Sequence, residues 1–204
     1  TGLMQDIATS GRNRLFINKN GDRFVSESAA RDTLCKAIFK QPDGTYWLLM
    51  NKLRYPDENK PDRMGVTMKD MLALGRVKKA DTLDEMAKLI NVPDDHLKAA
   101  VAEYNKAASN KGTKDKFGFV ATNTDDAPMT EGPWYACLKV RTVHHTMGGV
   151  RIDTLARALD KDGKPVPGLY AAGEVTGGIH GANRLGGNAI ADVFTFGRQA
   201  GASA

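Results

Sequence analysis

Three glycine-rich clusters crowd residues 144–188: His144-His-Thr-Met-Gly-Gly, Gly173-Glu-Val-Thr-Gly-Gly and His180-Gly-Ala-Asn-Arg-Leu-Gly-Gly-Asn. Glycine costs backbone entropy, so such density needs a reason. Any one cluster alone reads as a turn between strands. Three in succession, with His, Glu, Asn and Arg embedded, read as a surface that a planar ring or a phosphate approaches closely. A helix opening at Gly187-Asn-Ala-Ile aims unpaired N–H groups and the positive end of its dipole at whatever precedes it, which suits an anion. None of the clusters has the Gly-x-Gly-x-x-Gly or Walker spacing.

The remainder is patterned differently. Arg14-Leu-Phe-Ile-Asn alternates into the turn Lys-Asn-Gly-Asp and then Arg23-Phe-Val, which predicts a hairpin. Ser26 reads as the N-cap of a helix running to Phe39, with Ala30, Leu34, Ala37 and Ile38 at helical spacing. Thr45–Met50 predicts a buried strand, and the Pro- and Asp-rich 54–66 a loop. Met68–Leu74 predicts a short helix. Thr82-Leu-Asp-Glu predicts a capping box ahead of Met86, Leu89 and Ile90, and Pro93 opens another helix through Tyr104. Residues 110–133 are polar and loop-like. Short strands such as Gly168–Ala172 follow, then a helix from Asn188. The expected class is α+β, with a boundary near residue 130: residues 1–130 as one domain and 131–204 as another.

Composition excludes several functions. No run of eighteen apolar residues exists, so no membrane span is expected. No signal peptide is visible. Lys and Arg are interleaved with acids despite a net charge of +5, which argues against nucleic acid and suits an anionic small molecule. Cys35 and Cys137 have no metal spacing and read as buried structural thiols.

The runs His144-His-Thr-Met-Gly-Gly-Val-Arg-Ile-Asp and Pro167-Gly-Leu-Tyr-Ala-Ala-Gly-Glu-Val-Thr-Gly-Gly-Ile-His-Gly-Ala-Asn-Arg-Leu-Gly-Gly-Asn-Ala-Ile resemble the C-terminal signature of the fumarate reductase flavoprotein family. The soluble flavocytochrome c type and its urocanate-reducing relatives are nearest. Gly21-Asp-Arg-Phe-Val-Ser-Glu-Ser-Ala-Ala-Arg-Asp resembles the segment that carries the family's catalytic arginine. The resemblance implies a clamp (capping) domain of mixed helices and short strands, followed by the last strands and helix of a Rossmann-like FAD-binding domain. It implies that the N-terminal FAD domain lies outside these residues and that the fragment alone holds FAD poorly. An electron donor, a haem or FMN domain or a separate protein, would also lie outside. It further implies a bacterial, periplasmic protein of anaerobic respiration.

The implied reaction is reduction of the C=C bond of an α,β-unsaturated carboxylate. Hydride comes from flavin N5 and a proton from Arg31, which read alone is also a surface arginine on a helix. Arg184 and His144 would grip the substrate carboxylate, with a backbone N–H of Gly187 beside them; His144 alone also reads as a core histidine. His145, Glu174, Ala189 and Ile190 match flavin contacts. Fumarate-specific members have Thr-Glu followed three residues later by Arg, whereas this chain has Gln5-Asp6 and Thr9, with Arg12 or Arg14 as substitutes. Asp6 would then face the far end of the substrate, as an imidazole-bearing compound such as urocanate would suit. Two other readings stay open: a non-catalytic binding module of the same fold, and a related flavoenzyme such as a ketosteroid dehydrogenase or an aspartate oxidase.

Overall fold

The computed structural model describes residues 12–62, 65–122, 126–142 and 145–204. Asp6 and His144 lie outside the described residues. The chain forms two compact units, Thr1–Arg141 and Thr142–Ala204.

The first unit is built on a four-stranded antiparallel sheet of β1 (Arg14–Ile17), β2 (Thr45–Asn51), β3 (Val77–Ala80) and β4 (Trp134–Val140), in the order β1-β2-β4-β3. Side chains alternate across a strand, and here both faces are covered. Leu15, Ile17, Leu49, Trp134 and Ala136 pack on α3 (Leu83–Ile90) and α4 (Asp94–Ser109). Phe16, Leu48, Met50, Tyr135 and Cys137 pack on α1 (Arg31–Phe39) and α2 (Met68–Ala73). Two buried faces make β2 a continuous apolar run, which is why it was legible as a buried strand.

The boundary near residue 130 moves to Arg141 by contacts, because β4 is an inner strand of this sheet and pairs on both sides. The expected capping box is present: Glu85 N donates to Thr82 Oγ1 and Thr82 N to Glu85 Oε2, each at 3.2 Å. The expected hairpin is reduced to one bridge, Ile17 to Arg23, because β1 takes β2 as its partner. Helix α1 starts at Arg31 rather than after Ser26, and its N-cap, Ala30, makes no side-chain bond. Cys137 is buried, but Cys35 is exposed, and neither is in a disulfide.

The late start of α1 has a cause. Glu27 is drawn into the core, where Arg23 Nε donates to its Oε1 at 2.9 Å and Nη2 to its Oε2 at 2.5 Å. Nη2 also donates to Asp115 Oδ2 at 2.8 Å, and the guanidinium lies 5.0 Å from the centre of the Phe117 ring. The Arg23 side chain is fully buried. Such a fork holds both the 21–30 segment and the 115–119 loop in place.

The second unit has a two-stranded antiparallel sheet, β5 (Arg157–Leu159) with β6 (Pro165–Tyr170), and a C-terminal helix α5 (Asn188–Ser203). Its apolar side chains are poorly covered: Leu185 is 73% exposed and Phe194 75%. Among the described residues no helix is long and apolar enough to cross a membrane.

Removing one partner of a buried ion pair leaves a desolvated charge. Glu27→Ala is therefore expected to cost about 3–5 kcal/mol of stability, read from the urea unfolding midpoint. A loss under about 1 kcal/mol, the scale of an exposed pair, would mean that Asp115 and Glu103 suffice for Arg23.

Candidate functional site

The first two glycine clusters come together because their backbones touch. Val150 and Thr176 form a parallel bridge. Val150 N donates to Val175 O and Gly177 N to Val150 O, both at 2.9 Å. A Cβ on Gly149 would stand 2.2 Å from Val175 O, and one on Gly177 2.5 Å from Gly149 N. No other residue type fits at either position. Gly148, Gly178, Gly186 and Gly187 are different, since a Cβ on each would meet nothing within 4 Å. These four present bare backbone to open space.

Side chains lock the arrangement. Thr146 N donates to Glu174 Oε1 at 3.0 Å, which ties the first cluster to the second. His180 Nε2 lies 2.9 Å from Asp192 Oδ2, which ties the third cluster to α5. Gly187, with φ of 87°, turns the chain into that helix.

A cleft of about 180 Å³ results, lined by His145, Glu174, Arg184 and Ala189 together with His180 and Asp192. Four residues singled out from the sequence thus share one cavity. Ile190 does not line it: its side chain is 64% exposed and its N–H donates to Gly187 O at 3.1 Å, closing the first helical turn. That N–H is therefore engaged within the helix start. Gly187 stands at the start of α5. Arg31 is exposed at the first position of α1 in the first unit.

His180 and Asp192 were missed as a pair. His180 was visible within its cluster. Asp192 is an acid inside the apolar run Asn188-Ala-Ile-Ala-Asp-Val-Phe, and an acid so placed is a signal for a buried polar partner. Among the described residues no group of His, Cys, Asp and Glu could hold a metal ion.

Residues 2–190 match an FAD binding domain. The chain is 42% identical over 202 residues to an NADH:acrylate oxidoreductase of Vibrio harveyi, covering 99% of this chain and 19% of that protein. It is 37% identical over 190 residues to a urocanate reductase of Eggerthella lenta, covering 93% of this chain and 31% of that one. The open conformation of a flavocytochrome c3 fumarate reductase superposes with a TM-score of 0.66 at 41% identity, covering 94% of this chain and 32% of that one.

This chain belongs to the fumarate reductase family of FAD-binding flavoproteins. As a member of that family, it spans a third or less of the length of each of these three relatives.

The two kinds of glycine should respond differently to a methyl group. Gly177→Ala forces backbone against backbone and is expected to cost about 1–3 kcal/mol, the range for overpacking. Gly186→Ala should stay within about 0.5 kcal/mol, as surface changes do. Thermal unfolding of both variants checks this, and equal losses would contradict it.

Proposed function

We propose that this chain is part of an FAD-dependent reductase of the C=C bond of a 2-enoate. The observation that carries the reading is the cleft that gathers His145, Glu174, Arg184 and Ala189.

The residues present fit FAD. Bare backbone at Gly186 and Gly187 leaves room for a planar ring. The start of α5 favours negative charge. The Glu174 carboxylate suits a ribityl hydroxyl, and Asp192 Oδ1 is a buried acceptor without a hydrogen bond among the described residues. FAD, when bound, supplies the hydride. His145 and Ala189 complete its surroundings in this reading.

Arg184 and His144 grip the substrate carboxylate, with Gly187 N–H beside them. A guanidinium fork and an imidazole donor withdraw electron density from the alkene. Arg31 donates the proton to the second alkene carbon. A guanidinium is a weak acid, so it serves only a strongly basic carbanion and needs a carboxylate to restore its proton. In this reading the first unit is a clamp domain and the second the end of an FAD domain. The exposed Leu185, Ile190 and Phe194 fit a further FAD-domain segment beyond these residues. An electron donor, haem, FMN or a separate protein, completes the cycle.

Asp6 shapes specificity. A second substrate carboxylate facing it suffers repulsion on the order of 1 kcal/mol or more at an effective dielectric near 20. The preferred substrate therefore has one carboxylate and a neutral or cationic far end.

Three outcomes test this in the intact protein. It should contain FAD and reoxidise a reduced viologen when given a 2-enoate. Arg31→Lys should leave KM near normal and lower kcat by about a hundredfold or more, whereas Arg184→Ala should damage both. Comparison of kcat/KM should rank acrylate or urocanate above fumarate. Protein unable to take up flavin contradicts the reading, and a fumarate preference contradicts the role of Asp6.

A further inference from the structure

The loop from Gly177 to Gly187 carries Arg184 and poses a mechanical problem. It contains Gly178, Gly181, Gly186 and Gly187, and three of these adopt positive φ, at 93°, 62° and 87° for Gly178, Gly181 and Gly187. A segment so rich in glycine has many backbone states and needs an external tie to choose one. Arg184 Nη1 donates to Leu185 O at 3.1 Å, a bond within the loop itself. His180 provides the tie to a rigid element, through Asp192 on the 16-residue α5.

The pairing is dedicated. Asp192 is 7% exposed, and its carboxylate is within hydrogen-bond distance of His180 while its second oxygen has no hydrogen bond among the described residues. A carboxylate only accepts, so Nε2 of His180 carries the proton. Both residues line the same cleft as Arg184.

Resting on the function proposed above, we propose that His180 and Asp192 are positioning residues: their hydrogen bond pins the glycine-rich loop to α5 and so sets Arg184 for the substrate carboxylate. His180 acts through its Nε2–H and through Arg184. A small misplacement of a carboxylate clamp is expensive in binding and rate. Glutamine places a donor where Nε2 stands, and asparagine does not reach it.

The test uses the intact FAD-loaded protein with acrylate as substrate and propanoate as a non-reacting ligand. His180→Ala should raise both the KM for acrylate and the Kd for propanoate, by calorimetry, about tenfold or more, with flavin content retained and kcat changed less. His180→Gln should recover most of that loss and His180→Asn should not. In an Arg184→Ala background, His180→Ala should add nothing further to Kd, because the two act as one unit. Unchanged propanoate binding in His180→Ala, additive effects with Arg184→Ala, or a glutamine variant no better than the asparagine one overturns the inference. The glutamine and asparagine pair decides the matter if the alanine variant does not fold. Wild-type protein that binds no propanoate and reduces no 2-enoate overturns the proposed function as well, whereas a working wild type with an indifferent His180 overturns the inference alone.

Discussion

The second unit depends on a steric constraint: two backbone segments, around Gly149 and Gly177, lie closer than any Cβ permits. The approach is held by the hydrogen bonds of Val150 with Val175 and Gly177 and by the Thr146 amide on Glu174. It brings the first two clusters side by side, and the His180–Asp192 bond adds the third. Remove the contact, and the residues that line the cleft have no shared frame. Glycine thus serves two purposes here. At Gly149 and Gly177 it permits chain to meet chain, and at Gly148, Gly178, Gly186 and Gly187 it leaves open space.

The first unit depends instead on a buried charge network. Its sheet is covered on both faces by apolar side chains, yet Arg23 sits fully buried beside it. Burying a guanidinium is unfavourable unless its donors are met. Glu27 and Asp115 meet those of Nε and Nη2, Nη1 lies 3.6 Å from Glu103 Oε2 with no hydrogen bond among the described residues, and aromatic rings pack over the rest. The cost is offset by geometry, because a bidentate fork fixes orientation as well as distance. The fork anchors the segment that leads into Ala30 and Arg31, and so fixes where α1 begins.

What was legible in the sequence was local. The Thr82–Glu85 capping box, the helix after Pro93, the buried strand at Thr45 and the final helix from Asn188 all rest on neighbours within a few residues. Partners distant in the chain were not legible. Trp134–Val140 fell to the wrong side of the boundary because its partners, β2 and β3, lie more than fifty residues earlier. The hairpin at Arg14–Val25 yielded to the same long-range pairing with β2. Ser26 had the chemistry of an N-cap, but Glu27 had a stronger engagement with Arg23. In the cleft, Arg184 and Glu174 stood out by motif, whereas Asp192 gains meaning only from His180 twelve residues away.

The central claim is that the cleft of the second unit is where a 2-enoate carboxylate meets Arg184 beside FAD. The most direct measurement is a crystal structure of the intact protein with FAD and a bound saturated carboxylate. The account predicts the flavin ring against the bare backbone of Gly186 and Gly187, and the carboxylate within hydrogen-bond distance of Arg184. A flavin bound away from this cleft, or a carboxylate held by other residues with Arg184 turned to solvent, would contradict it.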